Sequence, residues 1–140
     1  MASAMANNKD FTYFIDVHRD SRRKENTTKV INGKSYAQIA FVVGTENPQF
    51  EKNFALANDL YKIFEKKYPG LVRAVLDQGG PGNNGVYNQD KSEKAMLIEF
   101  GGVDNNFEEL RRTAAAVADV FAEYYWQAER VNAETETNKE

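Results

Sequence analysis

Asp16, His18 and Asp20 stand at i, i+2 and i+4, so in an extended chain all three project to one face. A His with a carboxylate two residues to either side suits a metal, because imidazole is a common zinc ligand and carboxylates ligate or orient it. The same spacing also describes a strand-end His bonded to a local Asp, with Arg19 turned to solvent. Glu99 is the second informative residue. It stands in the otherwise apolar run Ala95-Met96-Leu97-Ile98-Glu99-Phe100, just before Gly101-Gly102. A carboxylate there is costly to bury without a partner. Ligand crevices form at the carboxyl ends of strands in open α/β sheets. Partly desolvated, Glu99 would have a raised pKa suited to general-base work. Paired with one of the many Lys or Arg residues, it would be a structural salt bridge.

The stretch 19–29 carries five positive and two negative residues, a local charge of +3. That suits a polyanionic polymer or a carboxylate-bearing substrate, or simply a solvated loop. Gly79-Gly80-Pro81-Gly82 does not match a phosphate-binding loop. With one His and no Cys, the chain offers no two-histidine metal site, no thiolate and no disulfide.

Phe11-Thr12-Tyr13-Phe14-Ile15-Asp16-Val17 reads as a largely buried strand. Asn32-Gly33 between two β-prone runs predicts a hairpin, because both turn residues need positive φ. The second arm ends in the apolar run Ile39-Ala40-Phe41-Val42-Val43, expected to be covered on both faces. Asn47-Pro48 fits an N-cap and first helical residue. Phe50, Phe54, Ala57, Leu60, Tyr61, Phe64 and Tyr68 then form one helical stripe. Leu71-Val72-Arg73-Ala74-Val75-Leu76 is a short strand candidate, and 95–100 another buried strand. Asn106 with Glu109 makes a capping-box-like start to a last helix through Leu110, Ala114, Val117, Phe121 and Tyr125, ending near Val131. Strand, hairpin, helix, strand, strand, helix predicts an α/β fold, a mixed sheet flanked by helices.

A chain of 140 residues makes one domain. A net charge of −3 argues against a dedicated nucleic-acid binder. The longest apolar runs, such as 95–98, fall far short of the roughly 20 residues of a membrane span. Residues 1–10 do not read as a secretory signal but as an expression scar or linker.

Asp16-Val17-His18-Arg19-Asp20-Ser21, Phe41-Val42-Val43-Gly44-Thr45-Glu46-Asn47, Val86-Tyr87-Asn88-Gln89-Asp90 and Leu97-Ile98-Glu99-Phe100-Gly101-Gly102-Val103-Asp104-Asn105 occur in this order, followed by Tyr124-Tyr125-Trp126-Gln127-Ala128-Glu129. Together they resemble the stage II sporulation protein P family of endospore-forming bacteria. The resemblance runs from about Phe11 to Val131. It implies a fold like that of zinc-dependent N-acetylmuramoyl-L-alanine amidases. It also implies cleavage of peptidoglycan during engulfment, as amidase and as endopeptidase. The expected partners are stage II sporulation protein D, a lytic transglycosylase, and the membrane protein M. The expected site is extracytoplasmic, in a membrane-anchored parent protein. Residue by residue, His18 takes the place of a zinc ligand and Glu99 that of the catalytic carboxylate.

One departure stands out. The family takes a further His and a Glu as zinc ligands from a strand and loop preceding the D-x-H-R-D-S motif, and residues 1–10 contain neither. Residues 11–132 therefore resemble the C-terminal part of a catalytic domain lacking its N-terminal elements, and 133–140 a frayed tail. On this reading the chain alone binds zinc poorly and is inactive. The alternative is a non-catalytic α/β module that holds glycan or a partner, with Glu99 structural.

Overall fold

The computed structural model describes Met5 and residues 11–137. Along the chain run β1 (Phe14–His18), β2 (Thr28–Ile31), β3 (Lys34–Ala37), β4 (Ile39–Gly44), helix α1 (Phe50–Lys67), β5 (Val72–Gln78), β6 (Ala95–Phe100) and helix α2 (Phe107–Thr137). Single 3-10 turns occupy Lys24–Asn26 and Gln89–Lys91. No helix among the described residues is long and apolar enough to cross a membrane. The reading of residues 1–10 as scar or linker lies outside the described residues, Met5 apart.

Four strands make a mixed sheet in the order β1-β6-β4-β5. β1 runs parallel to β6, β6 antiparallel to β4, and β4 parallel to β5. The expected α/β sheet with flanking helices is what the chain forms. Alternation along the strands sorts two faces. Ile39, Phe41 and Val43 of β4, with Met96 and Ile98 of β6, join Leu56, Leu60 and Phe64 of α1 and Ala116 and Val120 of α2 in one core. Both helices thus cover the same face. Glu99, Ala40, Val42 and Leu76 point to the other.

The hairpin forms at Asn32-Gly33, whose φ values of 49° and 74° supply the positive pair the turn requires. Its second arm does not continue as one strand. Gln38 breaks it: its N–H donates to Thr27 O and its carbonyl accepts from Gly101 N–H, while its side chain donates to Gly70 O. β2 and β3 therefore form a separate two-stranded sheet, and β4 starts afresh at the centre of the main one.

Four local expectations need correction. β1 is not largely buried: it is the sheet edge, and Ile15 and Val17 are 41% and 59% exposed. Asn47 is not the N-cap. It makes a turn two residues earlier, accepting from Gln49 N–H at 2.8 Å and donating to Gly44 O at 2.6 Å, and α1 begins at Phe50. The buried stripe of α2 is rotated from the apolar one, so that Ala114 and Tyr125 are exposed and Thr113 is buried. Thr113 earns that place because its hydroxyl donates to Ala37 O at 2.6 Å and docks the helix on the hairpin. The helix also passes Val131 to reach Thr137.

Candidate active site

β1 and β6 are paired so that His18 and Glu99 are register partners, and Ala40 of β4 partners Glu99 on its other side. Adjacent strands lie about 4.8 Å apart, so the two predicted residues stand at neighbouring strand ends. Glu99 is half-buried. Its Oε2 is fully buried and has no hydrogen-bond partner. It makes no ion pair among the described residues, so the structural salt bridge does not form. Burial first, then the like charge of Asp20, raises its pKa above the ordinary carboxylate value, against the opposing charges of His18 and Arg73.

The triple Asp16, His18, Asp20 is only partly a unit. His18 Nε2 lies 3.3 Å from Asp16 Oδ1, at the strand end and half-exposed. Asp20 lies past the end of β1 and serves a different partner. It accepts from the guanidinium of Arg73 on β5 and from Arg22 N–H at 2.9 Å. Both partners of the Asp20–Arg73 pair are almost buried, at 11% and 12% side-chain exposure.

The segment 19–22 is fixed against the turn after β6. Asp20 N–H donates to Gly101 O, Val103 N–H donates to Arg22 O, and Arg19 Nη1 donates to Gly102 O at 2.9 Å. Gly102 is needed for this approach: a Cβ there would meet Arg22 O at 2.2 Å and Thr27 Oγ1 at 2.5 Å. Asn105 ties the same turn together, accepting from Gly102 N–H at 2.7 Å and Thr27 Oγ1 at 2.9 Å. The expected capping box forms below it. Glu109 N–H donates to Asn106 Oδ1, and Asn106 N–H donates to Glu109 Oε2.

Glu99, Arg19, Arg22, Arg73, Gln78 and Tyr87 line an open cleft of about 420 Å³ floored by Val42 and Leu76. His18 does not line it; with Val17, Phe100 and Phe107 it lines a neighbouring apolar groove against the start of α2. Arg73 is the residue that sequence reasoning missed. Its signal was available: an Arg inside an apolar strand invites the question asked of Glu99. β5 is irregular at that point, Val72 pairing with Ile39 and Ala74 with the next residue, Ala40. The extra residue is Arg73, turned to the cleft face. Within the motif 86–90, Gln89 is structural. Gln89, 1% exposed, donates to Val42 O and accepts from Gly44 N–H, replacing β6 where its pairing with β4 has ended.

These features define a small α/β domain whose sheet carries, on the face opposite α1 and α2, a cleft around an unpartnered carboxylate. A family comparison then narrows the class. The model of stage II sporulation protein P matches residues 1–122, and the chain belongs to that family. It is 59% identical, over 138 residues, to stage II sporulation protein P of Bacillus subtilis (strain 168). That match covers 98% of this chain and 34% of the relative, so the chain spans about a third of the relative's length. No solved structure matches the chain.

Proposed function

We propose that the chain is part of the catalytic domain of a zinc-dependent N-acetylmuramoyl-L-alanine amidase acting on peptidoglycan during sporulation engulfment, with stem-peptide bonds as further substrates. Glu99 is the catalytic carboxylate and His18 a zinc ligand. The observation that supports this most is the buried, unpartnered Oε2 of Glu99 in a cleft next to the only imidazole. Such a group is poised to take a proton from an attacking water. The water's oxygen adds to the scissile carbonyl, and Glu99 returns the proton to the departing L-alanine nitrogen as the C–N bond breaks.

The described residues do not by themselves fit a zinc ion. His18 and Asp16 are adjacent donors, whereas a catalytic zinc takes three protein ligands and an open position. No group of three or more such donors among the described residues could hold a metal. On this reading the other ligands come from outside the described residues. Zinc supplies a Lewis acid when bound. Extracytoplasmic action beside stage II sporulation proteins D and M is part of the same proposal and rests on family membership.

The two-donor set also favours a second reading, a glycan- or partner-binding module without catalysis of its own. Purified peptidoglycan separates the two. The amidase reading expects stem peptides to be released by the longer protein with zinc and not by this chain alone. Binding to the polymer with no release by either supports the module and contradicts the amidase.

A further inference from the structure

The cleft beside Glu99 is more basic than catalysis by one carboxylate requires. Three guanidiniums, of Arg19, Arg22 and Arg73, face two carboxylates, Asp20 and Glu99. Two of the three come from segment 19–22 of the basic stretch, which is held against the turn after β6. Arg73 is the unusual member. A mostly desolvated guanidinium on an outer strand is costly unless its donors are used. It has five N–H donors, and among the described residues its hydrogen bonding is to Asp20 alone. Asp20 holds it by one nitrogen, accepts from the Arg22 backbone and lies 3.9 Å from Arg22 Nε, so it orients both side chains. Arg19 is held by Gly102 O.

An oriented, almost buried guanidinium with unclaimed donors matches a planar, two-oxygen anion. The cleft's own two carboxylates leave room for a small excess of positive charge. That favours a singly charged carboxylate over a phosphate. We propose that Arg73, oriented by Asp20 and flanked by Arg22 and Arg19, forms a subsite for a carboxylate of the substrate's peptide portion, next to the bond on which Glu99 acts. The identity of that peptide rests on the function proposed above. The subsite sets specificity and takes no part in bond breaking.

Binding to this chain without turnover tests it. The probes are an N-acetylmuramyl tripeptide with free carboxylates and the same compound with its carboxylates amidated, titrated by calorimetry or amide NMR. The unmodified chain should bind the acid about tenfold or more tightly than the amide, the value of one charge-assisted pair. The preference should shrink with added salt. Arg73→Gln should reduce it to less than about twofold, and Arg73→Lys should keep part of it, since Lys keeps the charge and loses the fork. Arg22, more than half exposed, can be changed without risk to folding, and Arg22→Gln should weaken the preference two- to threefold. Equal affinity for acid and amide overturns the subsite, as does no binding of either at millimolar concentration. So does a preference that survives Arg73→Gln in a variant whose amide spectrum shows it folded at the titration temperature. Acid-selective binding together with no peptidoglycan cleavage by the longer protein would instead defeat the amidase reading and leave the subsite standing.

Discussion

Asp20 and Arg73, 53 residues apart in sequence, form a nearly buried ion pair that ties the loop after β1 to the far edge of the sheet. The strand of Glu99 lies between them in the order β1-β6-β4-β5, and both charges act on its carboxyl. The pair closes one side of the cleft and places a negative charge near the Glu99 carboxyl.

Asp20→Asn should therefore destabilise the fold by about 2 kcal/mol or more, because it strands a mostly desolvated guanidinium. Urea denaturation measures the loss. Adding Arg73→Gln to Asp20→Asn should cost much less than the sum of the two changes, with a coupling of at least about 1 kcal/mol. Additive losses would show that the pair contributes nothing as a pair.

Glu109 predicts the pH dependence. Burial would raise its pKa, but hydrogen bonds from Lys24, Asn105, Ser35 and the Asn106 N–H outweigh burial and hold it at about 2. The folded value lies below the ordinary 4.5. The stabilisation is thus fully present above about pH 4.5 and is lost as pH falls through the folded value of about 2. The gap corresponds to up to about 3 kcal/mol. Thermal unfolding between pH 5 and pH 2 should show the fall, and Glu109→Gln should flatten it. A Glu109→Gln profile as steep as that of the unmodified chain would count against this assignment.

Gln89→Ala should cost about 2–5 kcal/mol, since it leaves the Gly44 N–H and Val42 carbonyl unpaired and opens a cavity. Amide exchange at Gly44 should accelerate in parallel. A loss under about 0.5 kcal/mol, the range of an ordinary surface substitution, would mean the clip is dispensable.

Regular periodicity made much of this fold legible. The Asn32-Gly33 turn, the apolar strands 39–44 and 95–100, and the capping box at Asn106 and Glu109 all carry short-range signals, and all form. What stayed hidden was tertiary. Gln38 changes sheets through bonds to Thr27, Gly101 and Gly70, none of them a near neighbour in sequence. Thr113 is buried because Ala37 O awaits its hydroxyl, which no hydrophobic pattern anticipates. The site divides in the same way. Glu99 stands out as the one charge in an apolar strand, and His18 as the one imidazole. Arg73 carries an equal anomaly in 71–76, but its partner lies across the sheet, and only the folded chain joins Arg73 to Asp20.

The account rests most heavily on Glu99, and one substitution tests it directly. Glu99→Gln in the longer protein keeps the side chain's shape and removes the base. Release of stem peptides from purified peptidoglycan should fall by about 10²–10⁴, the usual contribution of a general base, with zinc content and melting temperature unchanged. His18→Ala should instead lose zinc. Peptidoglycan cleavage at an undiminished rate by Glu99→Gln would contradict the central claim.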